Sequence, residues 1–265
     1  MAAKLTRTPT QPTAPAPDDL PPDQIDEQEG GVMGIWEHIT ELRDRLLKIV
    51  FAVVIGMVIS AFFTETAIAL MIAPYGDKLS LTNPTDSIVV YFKVALMLGA
   101  ILASPLITYH IFMFIIPGLT SKEKRWVFLA LPGTTLLFGI GLVFTWVFLL
   151  PAYVSFLSNF QSNIFKTIWT AEAYISFVTS ILFWHAAAFE TPLVFYVLAR
   201  AGLVSSGQMI QYWRQAIVGA AVIAAVITPT VDPVTMTVIT GILLALYGFS
   251  IVLVAIANRL SPINR

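Results

Sequence analysis

From Met33 onward the chain alternates long apolar runs with short polar connections. Six runs stand out, at about 46–63, 88–116, 126–150, 172–199, 213–228 and 234–257. A helix rises about 1.5 Å per residue, so about 20 residues cross a ~30 Å hydrocarbon core. The first four runs and the last meet that requirement and predict membrane-spanning helices. The fifth, Trp213 to Thr228, is 16 residues, or roughly 24 Å at the same rise. A helix that short predicts a locally thinned bilayer or a position behind longer helices. Ahead of the first run, Gly34 to Leu47 is amphipathic, with Ile35, Ile39, Leu42 and Leu46 on one helical face.

Composition agrees with the pattern. The 265 residues are 57% hydrophobic and 12% charged, with a mean hydropathy of +0.80. Soluble domains carry about 25% charged residues, so there is too little charge here to coat a water-facing surface. The predicted class is an all-α integral membrane protein. A formal net charge of -1 offers no basic field for nucleic acid. The absence of cysteine excludes disulfides and thiolate chemistry. Residues 1–30 stand apart, holding six of the 16 prolines and an acidic run through Asp26, Glu27 and Glu29. Such a segment buries too little apolar area to offset the entropy of ordering, and lacks the apolar stretch of a secretory signal peptide. The expected organisation is a disordered cytoplasmic tail over 1–30, a six-helix transmembrane domain over 31–260 and a short cytoplasmic tail over 261–265.

Charge sets the orientation. With the amino terminus inside, 12 of the 15 Lys and Arg residues face the cytoplasm, and only Lys78, Lys93 and Lys166 lie outside. Both termini are then cytoplasmic, as an even number of spans requires. Trp36, Trp126, Tyr212 and Trp213 fall at the inner interface. Tyr75, Tyr91, Tyr153, Trp169 and Tyr174 fall at the outer one, where Lys93 snorkels. Pro105, Pro132 and Pro192 lie within spans, and Pro117, Pro151 and Pro229 at their ends. Kinked helices of unequal length favour a curved, open arrangement over a tight bundle. Ala216, Ala220 and Ala224 repeat at four-residue spacing, which lets helices approach closely in lipid.

Enzyme signatures are missing: there is no GxxxxGK[ST], GxSxG or HExxH, and the three histidines, His38, His110 and His185, are far apart. What remains is a small set of charges in unusual places. Glu41–Arg45 and Asp44–Lys48 fit solvated i,i+4 pairs, each worth about 0.2–0.5 kcal/mol. Arg43 has only Ile39 and Leu47 at that spacing. Thr120-x-x-Glu123 matches a capping box that opens the third span. Glu123, flanked at i±4 by Leu119 and Val127, also keeps lone pairs for a cation. Glu190 sits well inside the fourth span, where an ionisable group costs several kcal/mol and reads as functional by default. The plain alternative is a protonated Glu190, or one bonded to a hydroxyl such as Thr191. His185 reads as a packed polar residue. Thr228-Pro-Thr-Val-Asp-Pro233 reads as an outer turn carrying Asp232.

Taken together, these segments resemble the TatC family, the core membrane subunit of the twin-arginine protein translocase. The carrying residues are His38-Ile-Thr-Glu-Leu-Arg-Asp-Arg-Leu46, Ser104-Pro105 with Tyr109, and Phe114-Ile-Ile-Pro-Gly-Leu-Thr-Ser-Lys-Glu-Lys-Arg125. Phe189-Glu-Thr-Pro192 and Ile227-Thr-Pro-Thr-Val-Asp-Pro233 complete the set. The resemblance implies six helices in a cup-like arrangement without enzymatic chemistry or a cofactor. It implies binding of twin-arginine signal peptides at the cytoplasmic surface by Glu41 and Glu123, with Arg43 and Phe114 beside them. Glu190 would face partner helices, and Pro74 and Asp232 would shape the outer loops. Implied partners are folded cargo, single-span proteins of the TatA and TatB types, the lipid bilayer and further copies of the chain in a larger complex, driven by the proton-motive force. The implied location is a bacterial-type cytoplasmic (inner) membrane. The family often has a Gln shortly after the outer-turn Asp, where this chain has Thr235-Met236. A different class, a proton-coupled solute transporter, would also use an intramembrane Glu190, but the halves show no inverted repeat.

Overall fold

The computed structural model describes residues 35–76, 78–115, 121–164, 167–228 and 232–260, with side chains for all of these except Ile35, Glu37, Ile115, 121–129 and Leu260. The expected tails at 1–30 and 261–265 therefore lie outside the described residues. The chain divides into two units after Glu41. Of the first, the described residues are the opening turns of a helix; the second, from Leu42, holds the rest.

Among the described residues the structure is helical, apart from an isolated bridge between Ser80 and Thr170. The helices are α1 (Ile35–Ser60), α2 (Thr64–Ile72), α3 (Asp86–Ile115), α4 (Ser121–Phe144), α5 (Leu150–Asn159), α6 (Ala171–Arg200), α7 (Ser206–Gln211), α8 (Trp213–Ile227) and α9 (Pro233–Leu260). Five segments are long and apolar enough to cross a membrane: His38–Ile72, Asp86–Phe114, Ala130–Asn159, Ala171–Arg200 and Pro233–Arg259. The shorter apolar helix, α8, has 15 residues, close to the 16-residue run read from the sequence.

Two spans run further than the hydropathy pattern predicts. The first was expected to stop near residue 63, at the polar Thr64-Glu65-Thr66. Instead a 3-10 turn at Ala61–Phe63 joins α1 to α2. The polar residues at the joint are satisfied internally: Thr64 Oγ1 donates to Ser60 O at 2.9 Å, and Ser60 Oγ to Ala95 O at 2.8 Å. The third was expected to end at Pro151. A π-helical turn at Thr145–Leu149 carries it on into α5. Proline lacks a donor for the carbonyl four residues back and its ring crowds that carbonyl, which here belongs to Val147. A widened turn at that point lets the helix pass. Pro105, Pro132 and Pro192 lie inside α3, α4 and α6 as expected.

Close approaches at glycines set the packing. Gly56 of α1 and Gly99 of α3 touch directly: a Cβ on Gly56 would fall 3.0 Å from Gly99 Cα, and one on Gly99 would fall 2.7 Å from Met57 Cα. The same crossing carries Ser60 on Ala95 and Tyr91 OH donating to Ala61 O at 2.8 Å. Gly141 of α4 would clash with Ala186 and Phe189 of α6, and Gly133 with Leu193. Small residues are what allow helices in lipid to gain van der Waals contact.

The outer ends are tied by aromatics. Tyr174 is fully buried, with its hydroxyl donating to Met71 O at 2.9 Å and its ring 5.7 Å from Tyr75 and 5.6 Å from Trp169. Tyr153 is also buried, at 4% exposure. These two residues were expected in an interfacial belt and belong to the core instead, because Tyr153 packs on Phe177 and His185 of α6, and Tyr174 is covered by Tyr75, Trp169 and the end of α2. Trp36, Tyr212 and Trp213 are exposed, as belt residues should be.

Replacing Gly99 by Ala should destabilise the protein by at least the about 1–3 kcal/mol typical of overpacking, because the clash is with backbone. Gly139→Ala, where a Cβ would meet nothing within 4 Å, should leave stability unchanged or raise it. Thermal unfolding of both variants in detergent tests this.

Candidate functional site

The candidates expected at the inner surface come from three elements, α1, α3 and α4. Glu41 lies in the first unit, on α1, and is half-buried. Arg43, which no i±4 neighbour could neutralise, is paired by its immediate neighbour: Asp44 Oδ1 accepts from Arg43 Nη2 at 2.9 Å and from Nε at 3.1 Å. Both side chains are more than half exposed, so the pair contributes at most a few tenths of a kcal/mol. Sequence spacing missed it because i,i+1 residues do not face each other on a helix, whereas a long guanidinium reaches around to its neighbour. Phe114 is half-buried in the last turn of α3. Helix α4 begins at Ser121, one residue after the expected cap Thr120. Thr120 and the side chain of Glu123 lie outside the described residues.

Glu190 belongs to the middle of α6, and its partner is not Thr191. Thr108 Oγ1 of α3, itself buried, donates to Glu190 Oε2 at 2.7 Å. The two residues are 82 positions apart, so no local pattern could pair them. Each stands near a proline, Pro105 and Pro192, whose missing donors loosen the backbone of α3 and α6 at this level. The packing of Gly141 against Ala186 and Phe189 fixes α6 immediately beside Glu190. A short hydroxyl-to-carboxyl bond in a region without water holds the acid in place and leaves its second oxygen for another group.

A second polar contact joins the same two helices near their N-terminal ends. Lys93 Nζ of α3 donates to Ser176 Oγ of α6 and lies 3.9 Å from Glu172 Oε1. Lys93 was expected to reach for the interface alone. Glu172 was not singled out, though a carboxylate in the first turn of a helix is the place where the helix dipole favours one.

The candidates expected in outer loops, Pro74 and Asp232, both lie at helix ends. Pro74 lies in the turn that ends α2, where Tyr75 N donates to Ile72 O at 2.9 Å and Gly76 takes φ 79°. Asp232 caps α9, its Oδ1 accepting from Thr235 N at 2.7 Å. A capping box at Ser205 and Gln208 opens α7; its S-x-x-Q spacing was legible in the sequence and went unremarked. Of the small-residue repeat, Ala220 and Ala224 are buried while Ala216 and Ala220 line a cavity of about 390 Å³ between α6, α8 and α9.

The comparisons with known proteins follow this geometry. The family model for Sec-independent protein translocase protein (TatC) matches residues 37–241. A Sec-independent protein translocase protein TatC of Synechocystis is 35% identical over 228 residues, covering 85% of this chain and 90% of its own. A chloroplastic counterpart of Arabidopsis thaliana is 33% identical over 251 residues, covering 88% of this chain and 74% of its own. The crystal structure of a twin-arginine translocase receptor, TatC, superposes with a TM-score of 0.74 at 35% identity, covering 84% of this chain and all of that one.

If the Thr108–Glu190 bond orders this region, Thr108→Val should destabilise by about 1–3 kcal/mol, the usual cost of stranding a buried acceptor. Thr108→Ser should lose much less. Combining Thr108→Val with Glu190→Leu should cost less than the sum of the two, as a double-mutant cycle in detergent would show.

Proposed function

Since this chain belongs to the TatC family of Sec-independent protein translocase proteins, we propose that it is the receptor for twin-arginine signal peptides and the scaffold on which the translocase assembles. The protein is a multi-pass membrane component of the Tat translocase. The single observation that carries the receptor reading is the family match across residues 37–241, within which carboxylates stand at Glu41 and Glu123 on helices that open at the predicted cytoplasmic side.

In this reading six spans, α8 included, form a curved cup with both termini cytoplasmic, in a bacterial-type inner membrane. The chemistry of recognition rests on guanidinium geometry. A carboxylate takes a guanidinium by two parallel N–H···O bonds, a fork that an ammonium cannot copy. Two carboxylates, each taking one guanidinium, therefore read Arg-Arg and reject Lys-Lys. At an effective dielectric near 20, a charge pair at 4 Å is worth about 4 kcal/mol before desolvation. Apolar contact, with Phe114 as a candidate, supplies the remainder, and Arg43, already held by Asp44, bounds the site electrostatically. Moderate net affinity suits a receptor that must release its cargo. Glu190, anchored by Thr108, would offer its second oxygen to helices of TatA- and TatB-type partners or to further copies of the chain. The proton-motive force would drive transport of folded cargo through the assembly.

A purified preparation in lipid nanodiscs should bind a twin-arginine signal peptide at least tenfold more tightly than a twin-lysine control. Glu41→Ala or Glu123→Ala should each erase most of that difference. Equal binding of the two peptides by the unaltered protein would remove the receptor reading. For the short helix α8, at 15 residues, inserting about four apolar residues should impair cargo transport without unfolding the protein, if its length thins the bilayer locally. Unchanged transport by the lengthened protein would show that thinning has no part in it.

A further inference from the structure

The cavity between α6, α8 and α9 has no occupant among the described side chains. It is walled by Ala188 and Thr191 of α6, Ala216 and Gly219 of α8, and Leu243 and Tyr247 of α9. The lining is almost wholly apolar. The Tyr247 hydroxyl is already committed, donating to Met209 O at 2.8 Å. The cavity lies against the short helix, whose other face presents Val218, Val222 and Val226 as exposed residues. Anything that fills it has to come sideways from the hydrocarbon of the membrane and has to be apolar.

Volume decides between the two apolar objects available there. A transmembrane helix is about 10–12 Å across, so a space of this size holds only about one turn of it. A dry cavity of about 150 Å³ accommodates benzene, with six carbons. By that scale about 390 Å³ accommodates a chain of about fifteen carbons. That is the size of one acyl chain.

Charge at one end indicates which lipid. Each helix that walls the cavity carries an arginine at the same end: Arg200 in the last turn of α6, Arg214 in the first turn of α8 and Arg259 in the last turn of α9. Arg200 Nη1 reaches Ala257 O of α9 at 3.5 Å, which places the ends of α6 and α9 together. The Arg214 guanidinium lies 5.5 Å from the centre of the Trp213 ring, an arrangement that keeps a cation at the interface. We propose that this cavity is a binding site for one acyl chain of an acidic phospholipid, with its phosphate headgroup beyond the cavity, towards the helix ends that carry Arg200, Arg214 and Arg259. The lipid completes the packing that a 15-residue helix leaves open, and the site stands or falls independently of signal-peptide recognition.

The test is photolabelling in nanodiscs with phosphatidylglycerol or phosphatidylcholine that carries a photoreactive group in its acyl chain. Adducts are mapped by mass spectrometry. Adducts should concentrate on the cavity residues of α6, α8 and α9. Gly219→Phe places a ring in the cavity, and the first atom it adds meets nothing within 4 Å. Cavity labelling should fall at least fivefold. Gly241→Phe on α9, equally unobstructed at its Cβ and outside the cavity lining, should leave labelling unchanged. Arg214→Gln combined with Arg259→Gln should lower the preference for phosphatidylglycerol severalfold while the acyl chain still labels. Labelling spread evenly around the lipid-facing surface, or unaffected by Gly219→Phe, would overturn the proposal. So would adducts at the cavity formed only with a co-purifying single-span protein.

Discussion

A backbone inside hydrocarbon has no water to turn to, so each bend in a span must bring its own hydrogen-bonding partner. Much of this structure follows from that requirement. The 3-10 turn after α1 exposes the carbonyls of Ser60 and Ala61, which Thr64 and, from α3, Tyr91 answer, while Ser60 Oγ donates across to Ala95 O of α3. Two of these bonds cross to α3, so the bend and the crossing of α1 with α3 are one feature. Where α2 ends, the carbonyl of Met71 is taken by Tyr174 from 103 residues away. The prolines of α3 and α6 lie near the bond between Thr108 and Glu190, which links the two spans side chain to side chain. Bends of this kind are tolerated because a hydroxyl from another span is waiting for them.

The candidate site divides along the same line. Groups at the water interface, such as Arg43 with Asp44, have solvent as an alternative partner and pair weakly with whatever is adjacent. Glu190, further inside a span, takes the hydroxyl of a buried threonine, whereas Lys93 meets Ser176 and Glu172 near the starts of their helices, where both charged groups are part-exposed. A receptor surface at the interface and a fixed acid in the interior are therefore compatible with one chain. Exchange with water makes the first reversible, and its absence makes the second permanent.

The spans themselves were largely legible in the sequence. Apolar length and aromatic or proline boundaries placed α6, α8 and α9 within about three residues of their ends, and marked α8 as short. What hydropathy could not show was continuation past a polar or proline stop. Thr64 and Pro151 both read as terminators locally, and both are overruled, one by hydroxyl back-bonding and the other by a π turn. Nor could it pair residues distant in the chain. Glu190 was marked by its position in an apolar run, yet its partner was sought at the next residue, because only local neighbours are visible in sequence. Tyr153 and Tyr174 misled for a related reason: an aromatic near a span end is an interface residue only if no other element covers it.

The two polar contacts between α3 and α6 have a mechanical consequence. Both helices run in the same direction, and the contacts at Lys93–Ser176 and Thr108–Glu190 are 15 and 14 residues apart on the two chains, a separation of roughly 22 Å at the rise of a helix. Two parallel rods fastened at two well-separated points can neither slide nor pivot against each other; they behave as a beam. The first span is itself fastened to this beam at two levels, where Gly56 touches Gly99 and where Tyr174 takes Met71 O. Flexing under load therefore falls to the short helix α8, while the beam serves as the fixed frame against which it moves.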